Sequence, residues 1–340
     1  MMMMMRRVWK KQGSLMKSSI IRGGLNHGKK NCCLIGCSSS SSIDTRYFTT
    51  ASTETYDTIE TFREARSKLG NNKTVGFVPT MGALHEGHLS LVKEARQNND
   101  VLVSSVFVNP TQFGPNEDLD KYPRQLERDI EMLSELGVDM VFAPNHDDMY
   151  TDGFSTYVEP HFEETKEGQS RPGFFRGVAT IVTKLFNIVQ PSRAYFGQKD
   201  AVQCCVIRRI VTDLNIPTEV VVMPTVREED GLAMSSRNAY LTDEERAKSS
   251  IVYKSLMAGQ DVWSNNVKST INAGDVEDAV RATLTSEPLV KEIQYVTIDS
   301  WNNMKRCDTL DSSETYVMSL AVKVGNVRLI DNIVLNPVLS

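Results

Sequence analysis

Cysteine is scarce in this chain: six occur in 340 residues, at 32, 33, 37, 204, 205 and 307. None forms a C-x-x-C pair, and adjacent cysteines make poor disulfide partners. Neither a disulfide framework nor a structural zinc is expected, and a reducing compartment is the default. No apolar run approaches the roughly 18–20 residues that span a bilayer, so no membrane partner is expected. Acid is missing from the start: residues 1–50 hold nine Lys+Arg and only Asp44 against them. The remainder carries 29 basic and 42 acidic residues, a net of −13 that the whole-chain −5 conceals. Such an acidic body argues against nucleic acid, whose binding leans on many basic contacts. There is no internal repeat.

The first 51 residues are not domain-like. Eight basic residues precede Asp44, and five consecutive serines run from Ser38 to Ser42. An Arg-rich, Ser-rich, acid-poor segment reads as an organellar transit peptide. Arg46-Tyr47-Phe48 before Thr49-Thr50 resembles a mitochondrial processing site. Mitochondrial import is therefore expected, with plastid second and cytosol third. A disordered tail or a misassigned start codon is the competing reading, which the five opening methionines favour.

Beyond it the chain alternates strand and helix. Thr58–Leu69 reads as a helix with Ile59, Phe62, Ala65 and Leu69 on one face. Val75–Val78 and Val101–Val108 are near-continuous apolar strands, as a parallel sheet demands. A helix from Arg124 to Leu136 leads to strand Met140–Ala143. Thr156–Val158 is a candidate short strand. Arg171–Gly177 reads as a loop entering helix Val178–Val189. Strand Arg193–Phe196, helix Ala201–Leu214 and strand Glu219–Met223 complete the series, with Cys204 and Cys205 as packing residues. The pattern predicts an α/β fold, a Rossmann-like doubly wound parallel sheet over residues 52–226. After Pro224 the texture changes. Helices from Thr242 and strands at Ile293–Ile298, Tyr316–Val324 and Val327–Val334 predict a smaller C-terminal α+β lid domain, 227–340.

The chemistry concentrates between Val75 and His88. A buried strand ends in a loop broken by Pro79 and Gly82, and a helical pattern restarts after Gly87. His85 and His88 therefore stand at a helix start, where unpaired backbone N–H groups bind phosphate well. Histidines there can donate to phosphate oxygens and stabilise developing charge.

His-x-Gly-His after such a loop resembles the signature of nucleotidylyltransferases. The longer Pro-Thr-Met-Gly-Ala-Leu-His-Glu-Gly-His is similar to pantothenate synthetases, the ATP-dependent pantoate–β-alanine ligases. Three further blocks follow in that family's order: Phe107–Phe113, Phe196–Gln203 and Asp230–Asn238. The resemblance covers about Thr55 to the C-terminus. It implies that pantoate and ATP form an acyl adenylate, from which β-alanine displaces AMP. It implies catalytic roles for His85, His88 and Lys199. It places ATP at Met81, Gly82, His85, His88, Gly197, Gln198, Lys199, Asp200, Val226, Met234, Ser235, Ser236 and Arg237. Asp200 and Val226 would lie at ribose and adenine, while the histidines, Lys199 and Arg237 would act as cationic donors to the phosphates. Gln112 and Gln203 would bind pantoate through neutral amides, and Gln112 would also meet β-alanine. Mg²⁺ would ride on the triphosphate, with Asp129 a weak outer candidate, and no protein metal site is implied. A homodimer is also implied. Three departures stand out, one of them Ala201-Val202 in place of a common Tyr-Gln. Gln198 replaces a usual glutamate, and Phe174 replaces a usual histidine, which should weaken the β-alanine side unless Arg171 or Arg176 compensates. The rival readings are a nucleotidylyltransferase that stops at adenylyl transfer and a non-catalytic adenylate-binding protein.

Overall fold

The computed structural model describes residues 53–336 apart from 71, 116, 267 and 268. The expected transit peptide, 1–51, lies outside the described residues, as do Cys32, Cys33 and Cys37.

The chain runs β1 (Glu54–Tyr56), α1 (Ile59–Ser67), β2 (Val75–Thr80), α2 (Glu86–Asn98) and β3 (Val101–Val106). Then come α3 (Leu126–Glu135), β4 (Met140–Phe142), α4 (His146–Met149), α5 (Lys166–Ser170) and α6 (Phe174–Val189). β5 (Arg193–Gly197), α7 (Ala201–Asp213) and β6 (Glu219–Met223) follow. These six strands form one parallel sheet in the order β1-β4-β3-β2-β5-β6.

Side chains along a strand alternate between faces, and here the alternation sorts the core in two. Phe77, Val103, Met140, Phe142, Ala194 and Phe196 pack on one face with Phe62 of α1, much of α6 and Ile207 of α7. Their neighbours Val78, Leu102, Val141 and Tyr195 pack on the other with Leu91, Val92 and Ala95 of α2 and Leu133 of α3. Helices cover both faces, which is why the central strands read as unbroken apolar runs.

After β6 come α8 (Asp243–Lys248), α9 (Ile251–Asn266), β7 (Ile271–Asn272), α10 (Ala273–Thr285), β8 (Val290–Ser300), β9 (Thr309–Leu310), β10 (Tyr316–Val324) and β11 (Val327–Leu335). β11, β10 and β8 make an antiparallel sheet in that order. Its apolar side packs on α9 and α10 through Leu256, Trp263, Val276 and Val280. Thr242 starts α8 with a capping box closed by Glu245.

Three local expectations change. Thr156–Val158 forms no strand: the Val158 N–H donates instead to Thr180 Oγ1 of α6 at 3.0 Å. The helix expected from Val178 begins at Phe174, because Gly173 takes φ +79 and turns the chain into it. The edge strand β1 is additional.

Gly177 lets α6 approach the turn that carries Gln112. A Cβ there would stand 2.1 Å from the Thr111 carbonyl oxygen, which is backbone and cannot swing aside. Gly177→Ala should therefore cost about 1–3 kcal/mol of stability, the usual penalty for overpacking. Urea unfolding checks this, and an unchanged midpoint would contradict so close an approach.

Candidate active site

The strand order reverses between β2 and β5. From β2 the chain steps outward through β3 to β4, whereas β5 lies on the other side of β2 and steps out to β6. Loops leaving the carboxyl ends of two such strands diverge and leave a crevice, the usual ligand position in open α/β sheets. A cavity of about 220 Å³ lies there.

The loop after β2 forms its first wall. Gly82 and Ala83 both take positive φ, +78 and +52. That bend turns the Ala83 and Leu84 N–H groups inward, and the buried Asp129 of α3 accepts both, each at 2.9 Å. Burial pushes the Asp129 carboxyl up, against those two donors. Asp129 thus fixes the loop, and Gly82 packs on it with no room for a side chain. Met81 faces the cavity.

His85 caps α2. Its Nδ1 accepts from the Gly87 N–H at 3.2 Å, and His88 Nδ1 accepts from the His85 N–H at 3.4 Å. The two rings lie 4.1 Å apart between centroids. Burial, then the Lys199 charge, lowers His85 to about 4. Burial, then His85 and Lys199, lowers His88 to about 3. Both are therefore neutral at neutral pH, correcting the expectation of cations. With each Nδ1 accepting from backbone, the neutral proton sits on Nε2, so both rings remain donors.

The second wall leaves β5. Gly197, Lys199 and Asp200 line the cavity, as does Gln203 one turn into α7. Lys199 Nζ lies 3.7 Å from Asp200 Oδ2. The third wall is the turn Pro110–Gln112. Gln112 Oε1 accepts from Asn109 Nδ2 at 2.9 Å, which leaves the Gln112 NH₂ free to donate. The fourth is the connector after β6, bringing Val226, Met234, Ser235, Ser236 and Arg237 to the same space. Of the ATP- and substrate-binding residues expected from sequence, Gly82 and Gln198 alone do not line the cavity; Gln198 Nε2 donates to Asn332 Oδ1 at 3.2 Å.

Sequence reasoning did not foresee the acids that face these cations. Asp118 accepts from Arg237 Nε and Nη2 at 3.1 and 2.8 Å. Glu117 accepts from Arg171 Nε and Nη2 at 2.8 and 2.6 Å. Arg171 Nη2 also donates to the Gln112 carbonyl, and the guanidinium lies 3.6 Å over the Phe174 ring. Arg176 stacks on Tyr157 instead and does not line the cavity. Neither arginine is a free partner for an incoming carboxylate. Tyr122 reaches Ser236, hydroxyl to hydroxyl, at 3.3 Å.

A family model described as pantoate-beta-alanine ligase matches residues 54–334. The chain belongs to this family. It is 52% identical to a pantothenate synthetase of Thermosipho africanus over 272 residues, 80% of this chain and 95% of that protein. It is 50% identical to that of Herpetosiphon aurantiacus over 279 residues, 82% and 98%. Among solved structures, pantothenate synthetase from Thermus thermophilus superposes with a TM-score of 0.76 at 44% identity, covering 83% of this chain and 99% of that one. A pantoate-beta-alanine ligase from Francisella tularensis, complexed with beta-gamma ATP and beta-alanine, superposes at 0.68 and 38%, covering 83% and 97%.

The lowered histidines make stability depend on pH with a definite sign. Unfolding releases His88 to water, where it titrates near 6.5. Its contribution is complete above that pH, shrinks as pH falls below it, and is lost on passing about 3. Asp299, raised by burial to about 6, works in the opposite direction. The readout is therefore the difference between variants. The gap in melting temperature between the ligand-free wild type and His88→Gln should narrow from pH 7.5 to pH 5. A gap that widens would mean that His88 is charged in the fold.

Proposed function

We propose that this chain joins pantoate to β-alanine, with ATP cleaved to AMP and diphosphate. The observation that carries this is the convergence of four separate segments, each matching a family block, on one cavity at the strand reversal. Family membership and the relatives' names support the same reading.

In the first step a pantoate carboxylate oxygen attacks the α-phosphorus of ATP. The bond to the β-phosphate oxygen breaks and diphosphate leaves with the electron pair. Negative charge gathers on phosphate oxygens, where preorganised donors act most strongly. His85 and His88 supply Nε2–H donors from the start of α2, and Lys199 supplies a cation. Ser235, Ser236 and Arg237 receive the departing phosphates, and Arg237 must exchange Asp118 for them. Gln112 offers its NH₂ to pantoate, and Gln203 lines the same cavity. Neutral amides suit a carboxylate that must stay nucleophilic, since a charge pair would stabilise the ground state. In the second step the β-alanine amine attacks the acyl carbon, loses a proton, and AMP leaves.

Mg²⁺ enters as part of the ATP substrate. Among the described residues no group of three His, Cys, Asp or Glu could hold a metal. Asp118 is committed to Arg237 and Asp129 to backbone. The triphosphate oxygens are then its main ligands, as is common for this ion.

Purified residues 51–340 should exchange labelled diphosphate into ATP only when pantoate is present, and release AMP when β-alanine is added. Exchange without pantoate, or none at all, would overturn the reading. Exchange without β-alanine-dependent AMP release would leave an adenylyltransferase. His88→Ala and Lys199→Ala should each slow exchange by about 10²–10³-fold, as losing one donor to a developing charge does. We further propose, from the family resemblance and the basic leader, a homodimer imported into mitochondria. Light scattering at the single-chain mass, or a leader fusion that stays cytosolic, would refute the respective part.

A further inference from the structure

Two adjacent residues of the C-terminal sheet hold both cation-bearing segments of the cavity. Asn332, in β11, is 2% exposed and paired in register with Ser319 of β10. Its Nδ2 donates to the Gln198 and Lys199 carbonyls at 2.9 and 2.8 Å. Carbonyls only accept, so this fixes which end of the amide is nitrogen. Oδ1 therefore faces Gln198, whose Nε2 donates to it at 3.2 Å. The amide of Asn332 is fully used, and every one of these bonds ends on the segment that presents Lys199.

Asp331 holds the other segment. Arg227, at the start of the connector, donates to both its carboxylate oxygens at 2.6 and 3.0 Å. The same guanidinium donates to the Gly231 carbonyl and to the Asn332 carbonyl. It also stacks 4.0 Å over Tyr253. Gly231 closes the bend that returns the chain to Met234, whose N–H donates to the Val226 carbonyl at 3.0 Å. The bend thus ends directly before Ser235 and Arg237.

We propose that Asn332 is a positioning residue for Lys199, and that Asp331–Asn332 sets the distance between Lys199 and the Ser235–Arg237 segment. Gln198 is the reciprocal half of this device. A glutamate, usual here in the family, would set a carboxylate oxygen against Asn332 Oδ1, whereas glutamine donates to it. The inference rests on the phosphate-facing role of Lys199 given above. It locates the control of that role 133 residues away in sequence, on a residue that does not itself line the cavity.

The test is pantoate-dependent diphosphate exchange by the full chain, run well below the melting temperature of every variant. Asn332→Ala should lower kcat about tenfold or more, since small displacements of a catalytic group are costly. The KM for pantoate should stay within about twofold, because Gln112 and Gln203 are not held by this residue. In a Lys199→Ala background, Asn332→Ala should change the residual rate little, because its effect runs through Lys199. Gln198→Leu, which removes only the bond to Oδ1, should lower kcat about threefold to tenfold and remains available if Asn332→Ala does not fold. Full multiplication of the Asn332 and Lys199 effects, or unchanged kcat in both the Asn332 and Gln198 variants, would overturn the inference. Normal exchange by Lys199→Ala would instead overturn the proposed role of Lys199 itself.

Discussion

Everything in the site depends on the reversal of strand order between β2 and β5. Parallel strands side by side normally send their loops the same way, and a helix covers the gap. Where the order reverses, successive crossovers leave for opposite faces and the carboxyl ends stay open. The His85 and Lys199 segments leave two neighbouring strands at that opening, β2 and β5. The opening also exposes unpaired backbone donors in the loop after β2. Buried N–H groups without partners would cost about 1–3 kcal/mol each. Asp129 offsets this by accepting two of them, and so holds in place a loop with two successive positive-φ residues.

The two arginines of the site are both paired. The histidines are neutral, and Arg237 and Arg171 have anionic partners in Asp118 and Glu117. A charge left unpaired in a partly buried site is unfavourable, so these pairs offset the cost of placing the two arginines there. A triphosphate offers Arg237 the same planar, two-oxygen recognition that Asp118 provides. On the proposed function, binding would replace one ion pair by another instead of desolvating a bare charge. Glu117 and Asp118 lie on the stretch that also brings Tyr122 to Ser236 and the Lys121 carbonyl to Tyr240, so the pairing of Arg237 bears on that whole wall.

How far the sequence could be read follows from where the decisive partners lie. β3 and β6 were legible as apolar runs, and α1 from the spacing of its apolar residues. The His-x-Gly-His stretch declared itself because strand, loop and helix start are contiguous. β1 was not legible: three residues, two of them exposed, become a strand only by pairing with β4. Thr156–Val158 failed for the opposite reason, since β-forming residues there met a threonine hydroxyl and no strand. The acids facing the cations were hidden because Asp118 meets Arg237 across 119 positions and Asp331 meets Arg227 across 104. The charge of the histidines was misjudged because burial is a tertiary property, and desolvation outweighs any nearby carboxylate.

Phe174 draws these threads together. As a substitute for histidine in a loop it would be a simple loss of polarity. In the fold it is the first residue of α6 and the platform beneath the Arg171 guanidinium. A cation over an aromatic face gains about 0.5–2 kcal/mol, whereas a protonated imidazole there would repel it. Arg171 is in turn the residue that ties Glu117 to the carbonyl of Gln112. The phenylalanine therefore favours a fixed arginine and an ordered Gln112 turn, at the expense of a titratable group in the wall. That wall is also apolar, continuing through Val178, Ile181 and Val182 of the same helix. An acyl adenylate is vulnerable to water, and an apolar wall without an imidazole offers water neither a base nor a site to order on.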